Sequence, residues 1–156
     1  MKKLELILIA GAVTGLLLAL LNVPTYTIIV SVFFLVLSLL YFYLGFALFN
    51  GIHIRKIFTA ESYTGLGPWR IGVAIGTGIA ISQITIGIMS TVLDYPMAKT
   101  LIQVGLVFTS VMLFVASIRS AREKHRLYRN IIPRCAVFII IAILFLLLPE
   151  KLFQTA

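Results

Sequence analysis

The stretch "LLNVPTY" (residues 20–26) interrupts a run of 49 residues, 6–54, that contains no Lys, Arg, Asp or Glu. A second stretch, "VLDYPMA" (92–98), interrupts another apolar run in the same way. Both place Asn or Asp, then one residue, then proline. Asn and Asp accept backbone hydrogen bonds at a helix end, and proline prevents the helix from continuing. Each stretch therefore predicts a tight corner between two apolar helices.

The composition assigns the chain to the membrane. Of its 156 residues 61% are hydrophobic and only 12% are charged, which excludes the water-soluble class. A hydrocarbon core of ~30 Å needs roughly 20 apolar residues per helix. The uncharged runs are 6–54, 71–93, 100–118 and 135–149. Because the first run is long enough for two spans, five spans are predicted.

The fifth span is the shortest of these runs, and its length also suits a re-entrant or buried helix. Adding Ile131 and Ile132 makes it a span, provided that Arg134 extends back to the headgroups. Pro133 is then expected in the first turn of this helix, where proline is tolerated. The opening "MKKLELILIAGAVTGLLLALL" is similar to a signal peptide, but Glu5 interrupts its basic start and no small-x-small cleavage site follows. We expect a retained first helix.

The predicted architecture is an all-α membrane protein with one transmembrane domain and a short interfacial helix that carries Tyr63 and Trp69 as anchors. Two helical hairpins form parallel repeats, followed by a fifth helix. The predicted segments are hairpin repeat one at 4–49, a cytoplasmic interfacial loop at 50–70, hairpin repeat two at 71–118, a basic cytoplasmic loop at 119–130, the fifth helix at 131–149 and an outer tail at 150–156.

The distribution of positive charge predicts the orientation. With five spans, 11 of the 13 Lys and Arg residues fall on the side of the N-terminus, so the N-terminus is predicted to be cytoplasmic and the C-terminus periplasmic. The net charge of +8 is then a topology signal, and no nucleic-acid partner is expected. The densest cluster, "RSAREKHRLYR" (119–129), is either a solvated linker or a contact for anionic lipid headgroups or an acidic partner. Its basic residues are Arg119, Arg122, Lys124, Arg126 and Arg129.

An internal repeat explains the two corners. Placing Pro24 on Pro96, a shift of 72 residues, also places Asn22 on Asp94 and Gly15 on Gly87. Both copies thus carry glycine seven residues before Asn or Asp. The pattern indicates a duplicated hairpin, with the copies related by an axis along the membrane normal.

Small and polar residues within the spans predict how the helices meet. Small faces let helix backbones approach closely in lipid, either within the chain or between copies. The predicted packing glycines are Gly11, Gly15, Gly72, Gly76, Gly78 and Gly87. Four polar residues are candidates for hydrogen bonds between helices or for a polar path, namely Gln83, Thr85, Gln103 and Thr109. No acidic or basic residue is expected deep in the first four spans, and Glu5 and Asp94 are expected to be solvated near the interfaces.

Motifs of catalysis and metal binding are missing from the sequence. It contains no Walker sequence, H-E-x-x-H, C-x-x-C or G-x-S-x-G. A lone cysteine cannot form an internal disulfide or a metal site, so Cys135 is interpreted as a small buried hydrophobe. We expect no cofactor and no enzymatic activity.

Two passages carry a family resemblance: "MKKLELILIAGAVTGLLLALLNVP…LSLLYFYLGFALFNGI" and "GIMSTVLDYPMAKTLIQVGLVF". Together they resemble a family of small uncharacterised multi-spanning proteins common in Bacteroidota. Each hairpin also resembles the membrane hairpin of the gliding-motility and type 9 secretion motor protein. This chain differs from the motor protein in having five predicted spans, no long cytoplasmic tail and no predicted intramembrane carboxylate. The resemblance implies a bacterial inner membrane, and no functional residue is transferred from it.

Three functions follow as hypotheses. The first is a non-enzymatic inner-membrane scaffold or accessory subunit that acts through helix packing, with other membrane subunits or a second copy as partner. The second is a small transporter or channel with a polar path between the two hairpins. The third is a lipid-binding membrane protein.

Overall fold

A computed structural model describes residues 1–52, 59, 67–123 and 125–148, apart from the side chain of residue 2. These residues form five α-helices. The helices are α1 Lys2–Leu20, α2 Tyr26–Asn50, α3 Pro68–Val92, α4 Ala98–Arg122 and α5 Arg126–Leu147. All five are long and apolar enough to cross a bilayer. The predicted all-α chain with five helices able to span is therefore confirmed, and it supports a multi-pass membrane protein.

The bundle is built around α3, which packs against α2, α4 and α5. In the most apolar stretch of α3, 61% of the residues are buried inside the chain, whereas in that of α4 only 22% are buried. α1 lies at the periphery and packs mainly on α2. We call the end of the bundle that holds the two corners the corner end, and the opposite end, where α5 begins, the basic end.

The two corners end the preceding helix in the same way. Asn22 and Asp94 both have the left-handed backbone conformation, with φ of 55° and 56°. In the first corner the Val23 amide donates to the Leu18 carbonyl at 3.1 Å, and in the second the Tyr95 amide donates to the Ser90 carbonyl at 2.8 Å. Each is a Schellman motif, which needs a residue that tolerates positive φ just past the helix end. Asn22 and Asp94 suit these positions because Asn and Asp adopt positive φ more readily than most residues.

The register of 72 residues matches the ends of α1 and α3 and both ends of α2 and α4. It places the first residue of α2, Tyr26, on the first residue of α4, Ala98, and the last residue of α2, Asn50, on the last of α4, Arg122. It also places equivalent contacts on each other. A Cβ added to Gly15 would lie 3.0 Å from Val30, and one added to Gly87 would lie 2.6 Å from Ile102.

Two expectations about the chain after the second hairpin differ from the structure, namely the basic loop at 119–130 and the place of Pro133 in the first turn of the fifth helix. α4 continues to Arg122 and α5 already begins at Arg126, so the helices join through residues 123–125. Pro133 therefore lies inside α5, and its expected place in the first turn is wrong. The basic residues that suggested a loop are good helix formers, which accounts for the longer helices. The predicted interfacial helix falls mostly on residues 53–58 and 60–66, which lie outside the described residues.

Candidate functional site

A buried ion pair joins α1 to α5 near the basic end of the bundle. Arg134 donates from Nε to Glu5 Oε1 at 2.7 Å and from Nη2 to Glu5 Oε2 at 2.6 Å. Tyr41 of α2 donates its hydroxyl to the same Oε1 at 2.7 Å. The side chain of Glu5 is 8% exposed and that of Arg134 is 19% exposed, so this bidentate pair is largely shielded from the surroundings. Such charge-assisted pairs are the strong ones.

Neighbouring groups hold the arginine and the tyrosine in place. Arg134 Nη1 donates to the carbonyl of Asn130 at 2.9 Å, and the Asn130 side chain donates to the carbonyl of Phe49 at 3.0 Å. The Tyr41 ring meets Phe138 edge-on, with centroids 5.4 Å apart. Arg134 also lies over the Phe49 ring at 5.9 Å. The pair therefore fixes three helices, α1, α2 and α5, relative to one another.

The expectation that Glu5 is solvated is wrong. Arg134 lies eight residues after the first residue of α5, which is about 12 Å along the helix axis. Because Glu5 is paired with it, the Glu5 carboxylate lies at the same depth. A charge within a span costs ~2.5–3.5 kcal/mol on insertion scales unless it is paired. Glu5 is tolerated here because it is paired with Arg134, which lies 129 residues away in sequence. Asp94, by contrast, is exposed at the corner end.

A groove of about 360 Å³ runs beside this pair, between α1 and α5. Glu5, Tyr41 and Arg134 form its polar part, and the other residues that line it are Leu6, Ile9, Pro133, Val137 and Phe138. We call it the α1–α5 groove. It is mostly apolar, so it suits hydrocarbon more than water.

A second groove, of about 740 Å³, lies at the basic end between the end of α4 and the start of α5. It is lined by Ser120, His125, Arg126, Arg129, Ile132 and Pro133, and we call it the basic groove. Arg126 and Arg129 are exposed and one turn apart on α5. The His125 ring caps this helix by accepting a hydrogen bond from the Leu127 amide at Nδ1, at 3.2 Å.

The other predicted basic contacts are divided between two environments. Arg119 lies over the Trp69 ring at 5.0 Å and 3.9 Å from Glu123, which also pairs with Arg70 at 3.1 Å. Arg122 is exposed on the last turn of α4. Lys124 lies outside the described residues. Among the predicted basic residues that the structure describes, Arg126 and Arg129 line the basic groove.

The packing glycines differ in what surrounds them. A Cβ on Gly11 would overlap the ring of Phe33, and one on Gly78 would overlap the Tyr41 carbonyl of α2. Gly76 lies under Met112, whereas Gly72 faces open space beside the groove formed by Trp69 and Met112. The close approach of α3 to α2 at Gly78 is therefore the tightest of these, because its obstacle is backbone.

The four polar-path candidates do not converge. Thr85 is buried and donates to the Ile81 carbonyl of its own helix at 2.9 Å. Gln83 is half-buried beside Gly105, while Gln103 is exposed on the lipid side of α4. Thr109 is buried without a hydrogen-bond partner for its hydroxyl in the described part of the chain. A polar path through these residues stays a prediction.

Within the described ranges, no three His, Cys, Asp or Glu side chains lie together as metal ligands would. Cys135 is buried, as predicted.

The Glu5–Arg134 ion pair was not predicted from the sequence, although one signal was available. Glu5 and Arg134 each stand beside a long apolar run, and charges at that depth pair with each other.

Comparison with protein-family models, with curated protein sequences and with solved structures finds no match to this chain.

Proposed function

We propose that this chain is a non-enzymatic scaffold or accessory subunit of the bacterial inner membrane and that it works by packing α4 against α4 of a second copy. The observation that carries the proposal is a stripe of four exposed residues on α4. They follow one another at helical spacing and are Gln103, Val107, Ser110 and Phe114.

The stripe includes polar groups that lack partners. Two other exposed hydroxyls, those of Thr14 and Ser117, donate to carbonyls of their own helices at 2.9 and 2.8 Å. Gln103 and Ser110 make no hydrogen bond to any residue that the structure describes. Leaving an amide unpaired in hydrocarbon is costly, and polar side chains on membrane helices are commonly satisfied by a neighbouring helix.

A second copy fits this stripe because it is self-complementary. The primary amide of Gln103 is both a donor and an acceptor, so two such side chains related by a twofold axis can satisfy each other. Twofold symmetry is also the commonest arrangement of homo-oligomers. Val107 and Phe114, 63% and 67% exposed, supply apolar contact on either side of Ser110.

The orientation and origin of the bundle belong to the same proposal. The positive-inside bias supports the basic end as cytoplasmic, with the N-terminus inside and the C-terminus in the periplasm. The matching bounds of α2 and α4 and the equivalent glycine contacts support a duplicated hairpin as the origin of the first four helices.

Cysteine crosslinking in native membranes tests the association. In a Cys135→Ala background, Val107→Cys puts a thiol in the α4 stripe, and Ile140→Cys puts one on the lipid side of α5, where Ile140 is 66% exposed. We expect an oxidant to give a disulfide dimer with Val107→Cys and none with Ile140→Cys. A monomer with both variants, together with a lone monomer on native gels of mild-detergent extracts, would contradict the proposal.

A further inference from the structure

We propose that the basic groove binds the headgroup of an anionic phospholipid, with an acyl chain lying along the exposed side of α5. The groove is large enough for a glycerophosphate headgroup, since about 740 Å³ falls within the usual range for small-molecule sites. This site is separate from the α4 stripe and does not depend on self-association.

The two arginines of the groove are available to a ligand. Arg70, Arg119 and Arg134 each have a carboxylate within 4 Å. Neither Arg126 nor Arg129 has an ion-pair or hydrogen-bond partner among the residues that the structure describes. Two exposed guanidinium groups one turn apart thus face the same groove. Guanidinium groups bind phosphate oxygens in a bidentate fork, so phosphate is an anion that suits this pair.

Neutral polar groups complete the headgroup site. Ser120, at the end of α4, brings a hydroxyl that can donate to a phosphate or accept from a glycerol hydroxyl. His125 uses Nδ1 to cap α5, and Nε2 is its remaining ring nitrogen. Ile132 and Pro133 close the groove on the side toward the apolar part of α5.

The apolar side of the groove is what points to a lipid instead of a soluble phosphate. Pro133 lines both the basic groove and the α1–α5 groove. Beyond it, Val137, Ile140 and Leu144 continue along one side of α5 and are 52%, 66% and 55% exposed. An acyl chain attached to a headgroup at Arg126 and Arg129 would meet this apolar surface directly.

Native mass spectrometry of the delipidated protein in detergent tests the site by titration with phosphatidylglycerol. Replacing both cations in Arg126→Gln/Arg129→Gln should weaken binding roughly 30-fold, from the usual contribution of a basic residue near anionic headgroups. The matched control is Lys3→Gln/Arg122→Gln, which removes two exposed charges outside the groove. It should bind as the unmodified protein does, and an equal loss in both variants would overturn the site.

Three further arms decide between charge, chain and headgroup. Arg126→Lys/Arg129→Lys keeps the two charges but loses the bidentate fork, so its affinity should lie between those of the unmodified protein and the glutamine variant. An affinity as low as that of the glutamine variant would overturn the role of charge. Phosphatidylcholine should bind at least tenfold more weakly than phosphatidylglycerol. Glycerol phosphate alone should show no binding at the same concentration, and equal binding would overturn the lipid in favour of a soluble phosphate. All variants should keep the unfolding temperature of the unmodified protein without lipid.

Discussion

The two hairpins share a backbone but use it for different chemistry. The register that superimposes their corners places Glu5 of α1 on Thr77 of α3. Glu5 needs a partner from another helix, Arg134, whereas the buried Thr77 donates to the Val73 carbonyl of its own helix at 2.7 Å. α1 is peripheral and packs mainly on α2, while α3 is enclosed by α2, α4 and α5. A peripheral helix gains a long-range attachment from a charge, and an enclosed helix needs only local satisfaction.

The same contrast appears in side-chain size. In the first hairpin Gly11 accommodates the ring of Phe33. At the equivalent pair in the second hairpin, the small residue is Gly105 on α4 and the larger one is Gln83 on α3. The glycine is on the first helix of one hairpin and on the second helix of the other. In both hairpins it lets the two helices lie close together. The helix end at the corner and the glycine contact near it are common to the two hairpins.

Breaking the ion pair should have the largest effect on stability. Arg134→Met leaves Glu5 buried without its cation, and we expect a loss of about 3–5 kcal/mol in the free energy of unfolding. Titration with SDS in mixed micelles, followed by far-UV circular dichroism, measures this loss.

The double variant Glu5→Leu/Arg134→Met sharpens the result, because replacing both members of a buried pair with apolar residues is often neutral. We expect it to recover most of the stability that the single variant loses. If the double variant were as unstable as the sum of the two single variants, Glu5 and Arg134 would not be coupled.

The equivalent glycines allow a direct comparison of the two hairpins. Gly87→Ala should cost about 1–3 kcal/mol, because the new methyl group would lie 2.9 Å from the backbone nitrogen of Ile102. Gly15→Ala should cost less, since the corresponding nitrogen of Val30 is 3.3 Å away. Mixed-micelle unfolding of the two variants side by side measures the difference.

A compensating change separates side-chain from backbone overlap at Gly87. Adding Ile102→Val to Gly87→Ala reproduces the smaller residue of the first hairpin. It removes the Cδ1 methyl but keeps Cγ1, the atom 2.6 Å from the new methyl group, which then carries no further substituent and can shift more easily. We expect partial recovery only, because the backbone contact persists. Equal costs for Gly15→Ala and Gly87→Ala would mean that the two interfaces adapt equally well.

Thr77→Val tests the claim that the enclosed helix satisfies its polar group locally. Removing a hydroxyl that bonds within its own helix leaves no charge or donor unpaired elsewhere, so the change should stay within about 1 kcal/mol. Glu5→Val, at the equivalent position, should cost several times more because it leaves Arg134 unpaired. Unfolding midpoints of the two valine variants, measured in the same mixed micelles, make the comparison. Similar costs would remove the distinction between the two helices.

Much of the fold could be predicted from the sequence. Charge-free runs and the repeated Asn/Asp-x-Pro pattern are local signals, and they located five helices and two corners. The bounds near Arg122 and Arg126 were harder, because basic residues favour both helices and loops at a membrane surface.

The ion pair could not be predicted from local pattern. Glu5 and Arg134 lie 129 residues apart, and each alone resembles a residue at the end of a span. Only the packing of α1 beside α5 brings them together. The basic groove could be predicted in part. The cluster of cations is visible in the sequence, but the choice of Arg126 and Arg129 over Arg119 depends on which arginines pair with carboxylates.

The smallest expected effect comes from a position where the backbone of the two corners differs. Met97 has φ of 64°, whereas its equivalent, Thr25, has φ of −79°. A left-handed conformation costs a non-glycine residue about 1–2 kcal/mol. Glycine avoids this cost but loses roughly 0.5–1 kcal/mol more chain entropy on folding. Met97→Gly should therefore raise the free energy of unfolding by about 0.5 kcal/mol, while Thr25→Gly should lower it, both measured in mixed micelles. Met97 is 73% exposed, so loss of packing does not obscure the comparison, and a destabilised Met97→Gly variant would show that the second corner does not carry this strain.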